Sequence, residues 1–264
     1  MNAPISAHMT APLHAIRAAA AHNPYPTEFW DRLYADDPGF SEATNAERNA
    51  ALKAAIAYFG DLRGKTVVDI GCGIGDATVA LARCGARVIA IDTSAPGIEA
   101  VKARCRELGL DAVEPVVCDA MALDTLGEVD FVFGSMILHH LEPFDEFPPA
   151  LKAVLKRGGK AFFWENNAAS DLLIWFRTNL VGRLWIPKYG DPHEFPLTPA
   201  EVGLLKKALD VEVVYPCMSF FTLAADYLLR GVGRSLFVAI DDFLFRHRIG
   251  LKYSYRQYLY IRKS

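Results

Sequence analysis

The sequence predicts an α/β protein built on an open, mostly parallel sheet with helices on both faces. Three observations carry that prediction. Between Lys65 and Trp164, short apolar strands alternate with helical segments, the pattern of βαβ units. A glycine-rich turn, Gly71-Cys72-Gly73-Ile74-Gly75, joins the first strand to the helix after it. The chain's 264 residues, 52% apolar and 22% charged, suffice for one such domain with an added lid, and exclude a disordered or collagen-like chain. In such sheets, ligands gather at the carboxyl ends of the strands, where the strand order reverses.

The elements follow in order. Residues 1–22 are Ala-rich and read as a mobile leader; they lack the basic start and unbroken apolar run of a signal peptide. Residues 26–60 read as helical, with Phe29, Trp30, Leu33 and Tyr34, then Leu52, Ile56 and Phe59 at helical spacing, broken at Asp36-Asp37-Pro38-Gly39. Strands are expected at Thr66–Ile70, Arg87–Ile91, Val113–Val117, Val129–Phe133 and Lys160–Trp164. Helices fall between them: Ala77–Cys84, a second opened by Ser94 as N-cap with Pro96 in its first turn, and a third from about Phe144 to Lys156 closed by Gly158-Gly159. Beyond Asn166 the alternation pauses at an aromatic, Arg-containing insert, residues 168–192. Thr198-Pro199-Ala200-Glu201 has the spacing of a capping box. Val211–Tyr215 reads as a strand and 219–246 as largely helical, with the apolar run Phe220–Phe245 expected to pack as core. Tyr253–Arg262 alternates with period two, as a terminal strand.

Charge and cysteine usage narrow the function classes. The net charge is −3, which argues against a general nucleic-acid binder. Residues 1–170 hold 15 basic and 22 acidic side chains and residues 171–264 hold 13 and 9, so the positive excess lies in the second part. It reads either as a solvated basic face or as attraction to anionic lipid or an acidic substrate. Five cysteines without a CxxC pair, and seven histidines without a zinc-type spacing, predict no metal site and a reduced, cytoplasmic setting. The sequence contains no stretch of about 18 uncharged apolar residues, so no transmembrane helix is expected.

The chemistry concentrates at the strand ends. Val68-Asp69-Ile70-Gly71-Cys72-Gly73-Ile74-Gly75-Asp76 places Gly71, Gly73 and Gly75 where the backbone must turn tightly and let a ligand lie against it. A dinucleotide fold would carry Gly or Ala where this chain has Asp76. Carboxylates at Asp69 and Asp76 would repel a pyrophosphate and suit a cationic ligand. Asp92, followed by Thr93, closes the second strand about 20 residues on, where a carboxylate can accept both ribose hydroxyls or simply cap the next helix. Asp119-Ala120 follows the third strand, where an Asp can accept a hydrogen bond from an adenine amino group. Ser135 follows the fourth strand, at the crevice itself.

These motifs together resemble the class I S-adenosylmethionine-dependent methyltransferases, in particular the small-molecule enzymes of the quinone and natural-product type. VVDIGCGIGDATVALA is similar to their first motif, Ile91-Asp92 to their second, and Cys118-Asp119-Ala120 to their adenine contact. VDFVFGSMILHHL resembles the segment after the fourth strand, and LKRGGKAFFWEN the fifth-strand region. The likeness spans about residues 60–165, with a looser echo in Glu28-Phe29-Trp30-Asp31 that adds Trp30 to the expected cofactor contacts. It implies a Rossmann-like seven-stranded sheet with an antiparallel last strand, and S-adenosyl-L-methionine as cofactor. The chain then divides into a leader (1–22), an N-terminal helical lid (23–59), a cofactor-binding core (60–165), an aromatic substrate-lid insert (166–200) and C-terminal helices with the last two strands (201–264).

The expected reaction is methyl transfer to a small, lipophilic acceptor, with oxygen the preferred atom. Candidate bases are His139 and His140 after the fourth strand, Glu165 at the end of the fifth, and His193 in the insert; each also has a structural reading as packing or as a cap. Glu194 reads as an architectural tie. The insert, with Trp175 and Arg177, reads as a lid over the acceptor or as a peripheral membrane contact. Two rivals stand beside this reading: a nucleotide-dependent oxidoreductase of similar fold, and a non-catalytic module that binds the cofactor or a membrane surface. The acceptor and the oligomeric state are not legible.

Overall fold

The computed structural model describes residues 42–179 and 195–264. In chain order these form α1 (Glu42–Phe59), β1 (Thr66–Ile70), α2 (Asp76–Arg83), β2 (Arg87–Asp92), α3 (Ala95–Leu108), β3 (Val113–Val117), a 3-10 segment (Ala120–Leu126), β4 (Val129–Ser135), α4 (Phe147–Val154) and β5 (Leu155–Asn166). There follow α5 (Asp171–Asn179), α6 (Pro199–Ala208), β6 (Asp210–Val214), α7 (Phe220–Leu228), α8 (Arg234–Arg246) and β7 (Arg256–Arg262). The strands make one seven-stranded sheet in the order β3-β2-β1-β4-β5-β7-β6. The first five run parallel, and β7 is antiparallel to both its neighbours.

The local signals act as their chemistry requires. Ser94 caps α3 by accepting from Gly97 N–H. Thr198 and Glu201 form a reciprocal capping box at α6. Side chains that alternate along the strands feed two cores, one on each face of the sheet. Phe163 joins Phe147, Leu151 and Leu205 on one face. Its neighbour Phe162 joins Phe131, Leu81 and Phe59 on the other. The described part of the segment expected as an N-terminal lid belongs to this second core: Ala51, Leu52, Ala55 and Phe59 of α1 are buried in it.

The structure corrects three expectations. The helix read as running to Lys156 stops at Val154, and Gly158-Gly159 lie inside β5. They serve a strand irregularity: Gly158 has φ +74°, the β4–β5 register shifts here, and a Cβ on Gly159 would come within 2.8 Å of Lys156 O. The last strand starts at Arg256, since Leu251–Tyr253 form a 3-10 turn. The run Phe220–Phe245 splits at Gly231 and Gly233, both at positive φ, into α7 and α8, and among the described residues no side chain of either helix joins the cores flanking the sheet.

Candidate functional site

Strand order reverses between β1 and β4, so the loops after these two strands open the crevice. Gly71, Gly73 and Gly75 take φ values of +64°, +54° and +86°. A Cβ at Gly71 would lie 2.7 Å from Ile137 Cδ1, which shows how closely the turn after β4 abuts the glycine loop. Met136, beside Ile137, holds φ +55°, a conformation a non-glycine residue adopts at a cost, and its N–H donates to Trp164 O (2.8 Å).

Around this loop three carboxylates take different roles. Asp92 is partly buried; its Oδ2 accepts from Gly73 N–H (2.9 Å) and its Oδ1 from Ser94 N–H (2.8 Å), so it ties the glycine loop to the start of α3. Asp69 is buried and accepts from Thr78 Oγ1 (2.5 Å). Burial pushes its carboxyl up to about 7, the Thr78 hydrogen bond opposes this, and the nearby charges of Asp92 and Asp76 add to it. Asp76, in the first turn of α2, is bound by Arg48 of α1 (2.8 Å) and Arg104 of α3 (2.5 Å). The negative charge beside the loop is therefore smaller than the residue count suggests. Asp76 stands in the first turn of α2, where a dinucleotide fold would carry Gly or Ala.

Asp69 makes stability depend on pH. Its carboxyl ionises near 3.8 when unfolded and near 7 when folded, so between those values the unfolded chain binds fewer protons than the native one. The stability it contributes is complete below about pH 4 and is lost as pH rises through 7, by about 4 kcal/mol in all. Asp69→Asn should remove this slope. In urea titrations without ligand, the variant should gain on the wild type steadily from pH 4 to 7; a constant difference would refute the raised carboxyl.

The remaining expected contacts fall at the same end of the sheet. Thr93 is exposed beside Asp92. Asp119 caps the 3-10 segment, its Oδ1 accepting from Met121 N–H (2.9 Å), with Ala120 buried behind it. Ser135 ends β4, partly buried. Trp30, His193 and Glu194 lie outside the described residues.

Glu165 ends up at the centre of the turn after β4. Its Oε1 accepts from Ile137 N–H (2.8 Å) and Leu138 N–H (2.7 Å), and its Oε2 lies 2.5 Å from His139 Nδ1. Both side chains of this pair are fully buried. The His140 ring stands 4.2 Å from that of His139, centroid to centroid, and is only partly buried. Burial and the charges of Asp69 and Asp92 push the Cys72 thiol well up, so it is no nucleophile. Among the described residues, no group of three or more His, Cys, Asp or Glu is placed to hold a metal ion.

Sequence reasoning missed Arg48, Arg104, Thr78 and Met136. Arg48 and Arg104 each lie 28 residues from Asp76 and carry no local signal. Thr78 stands on the first turn of α2, inside the glycine motif, and could have been read as a partner for Asp69.

Residues 67–159 match the family model described as a methyltransferase domain. The chain is a class I S-adenosylmethionine-dependent methyltransferase. S-adenosylmethionine is its methyl donor. The chain is 29% identical over 200 residues to a protein named ubiquinone biosynthesis O-methyltransferase from Paraburkholderia xenovorans (strain LB400), covering 72% of this chain and 86% of that protein. It is 36% identical over 103 residues to one so named from Methylococcus capsulatus (strain ATCC 33009 / NCIMB 11132 / Bath), covering 39% of this chain and 44% of that one. Among solved structures it resembles an N-methyltransferase from Bradyrhizobium japonicum WM9 bound to S-adenosylhomocysteine (TM-score 0.59, 15% identity, 90% of this chain and 98% of that). It also resembles the magnesium protoporphyrin IX methyltransferase from Synechocystis PCC 6803 (TM-score 0.58, 16% identity, 90% and 94%). At such identities the two structures speak for the fold.

The crevice of this methyltransferase fits its donor. A glycine turn without Cβ atoms leaves backbone open to close approach, Asp92 offers a carboxylate at the end of β2, and Asp76 puts a carboxylate in the first turn of α2.

Proposed function

We propose that the enzyme moves the methyl group of S-adenosylmethionine onto a hydroxyl oxygen of a small, lipophilic acceptor. The observation that supports oxygen most is the pair of imidazoles on the turn that abuts the glycine loop. Glu165 fixes this turn and His139, and His139 backs His140, the partly exposed ring, which is the proton acceptor in this reading. The relatives named O-methyltransferases point the same way.

In this reading the glycine loop, Asp69, Asp92, Thr93, Asp119, Ala120 and Ser135 line the cofactor site, with Asp92 accepting the ribose hydroxyls. The bound donor supplies an electrophilic sulfonium methyl for in-line displacement. The chain's own residues orient the acceptor, exclude water and take the hydroxyl proton as it leaves. We place the enzyme in the cytoplasm, in keeping with its free cysteines, and reaching its lipophilic acceptor by peripheral contact with a membrane.

Asp92→Ala should cut affinity for S-adenosylhomocysteine at least roughly tenfold in a calorimetric titration, because a hydrogen bond to a charged group contributes about 1.5–3 kcal/mol. Unchanged affinity in a folded variant would leave Asp92 only the task of tying the two loops. The reaction itself is tested by incubating the protein and S-adenosylmethionine with alkylated phenols and catechols, amines and thiols, and identifying products by mass spectrometry. O-methylated products are expected. Products methylated on nitrogen or sulfur alone would overturn the oxygen reading. A protein stabilised by NAD and indifferent to S-adenosylhomocysteine would overturn the assignment of the site.

A further inference from the structure

The α7–α8 hairpin leaves part of its apolar surface outward, at Leu228, Leu229, Val232, Leu236, Phe243 and Phe245. Helix α8 carries Leu236, Phe237, Val238, Ile240, Phe243, Leu244 and Phe245, yet its one buried residue is Asp241. That carboxylate accepts from Phe221 N–H (3.1 Å) and Thr222 N–H (2.7 Å), so it fixes α8 to the first turn of α7. Leu236, Ala239 and Phe243 recur at helical spacing on one stripe, with Leu236 63% and Phe243 55% exposed, and Val232 at the hairpin tip is 73% exposed. Ile249 and Tyr253 extend the exposed apolar surface beyond the helix.

The charges of this stretch have one sign left over. Arg246, Arg248 and Lys252 are exposed. Of the carboxylates, Asp226 is ion-paired with Arg234 (3.0 Å), Asp241 is buried as a cap, and Asp242 alone is exposed without either task. A second copy of the chain is a poor occupant, since a two-fold interface centred on the end of α8 would bring Arg246 and Arg248 toward their own counterparts. In the described part of the aromatic insert Leu172 and Trp175 are exposed, but its neighbouring apolar residues and its arginine are engaged. Its helix α5 buries Leu173 and Ile174, and Arg177 donates to Tyr255 Oη (2.5 Å).

We propose that the α7–α8 hairpin is the docking surface of this enzyme for an anionic phospholipid bilayer. The Val232–Leu236–Phe243 stripe enters the headgroup–acyl boundary, and Arg246, Arg248 and Lys252 meet the lipid phosphates. The inference adds a place to the peripheral contact proposed above and is independent of which atom is methylated.

The test is co-sedimentation of the full chain with phosphatidylcholine vesicles and with vesicles containing one-third phosphatidylglycerol, at low and moderate salt. Binding to the anionic vesicles that weakens with salt is expected. The double substitution L236E/F243E should reduce it at least tenfold, and R246A/R248A by about fivefold for each charge removed. Both variants alter exposed side chains and should keep the wild-type thermal shift with S-adenosylhomocysteine, which separates loss of docking from loss of the fold or of cofactor binding. The proposal is overturned by protein that stays in the supernatant at low salt, by equal binding to neutral and anionic vesicles, or by variants that bind like wild type. It is overturned too if light scattering finds a dimer that F243E dissociates while vesicles are ignored, which would make the face a homodimer interface.

Discussion

Replacing Glu165 with leucine should destabilise the protein by about 3–5 kcal/mol, the cost of removing one partner from a buried hydrogen-bonded pair. The carboxylate is fully buried at the end of β5 and takes hydrogen bonds from Ile137 N–H and Leu138 N–H while engaging His139 Nδ1. Leucine fills a similar volume and accepts none of them. Two backbone donors and an imidazole then lose their acceptor in surroundings with little water. For a chain of this size, the midpoint of thermal unfolding should fall by roughly 6–20 °C. Glu165→Gln keeps one carbonyl acceptor and should lose less than half as much. Calorimetric scans of the three proteins decide it. A leucine variant within 1 kcal/mol of wild type would mean that the turn after β4 is held by other contacts, Met136 N–H to Trp164 O among them.

Why Glu165 carries this weight was not legible in the sequence. At the end of a strand it reads equally as a pocket wall or a loop cap. Its partners lie 26 to 28 residues earlier on a neighbouring strand's loop, and only strand pairing brings them to it. Asp92 is the contrasting case. Its role is tied to its own strand end and to the glycine loop 19 residues before it, both marked by local motifs. The parallel core was legible for the same reason, since strand, glycine turn and N-cap signals are local. Gly158-Gly159 misled because a glycine pair looks alike at a helix end and in a strand irregularity; the carbonyl oxygens of Lys156 and Asp130 that crowd Gly159 are the deciding neighbours. The α7–α8 run misled by its greasiness: apolar content says that a face wants cover, and not what covers it.

His140→Ala should lower kcat on the order of 10²–10⁴-fold with the acceptor that turns over best, while affinity for S-adenosylhomocysteine stays within about twofold. The expectation follows from the division of labour in the His139–His140 pair. His139 is fully enclosed and held by Glu165, so its nitrogen on that side is engaged. His140 rests against that fixed ring and keeps partial exposure at the crevice end of β4, which a proton acceptor needs to reach an incoming hydroxyl. His139→Ala should then act through its neighbour, lowering kcat less and stability more, because a cavity opens beside Glu165. His140→Gln distinguishes proton removal from mere positioning, since the amide preserves polarity and size but cannot take the proton; it should be as slow as the alanine variant. If His140→Gln retains most of the wild-type kcat, His140 only positions the acceptor. If both histidine variants turn over normally, the His139–Glu165–His140 assembly is architectural and the proton leaves to water or to another group.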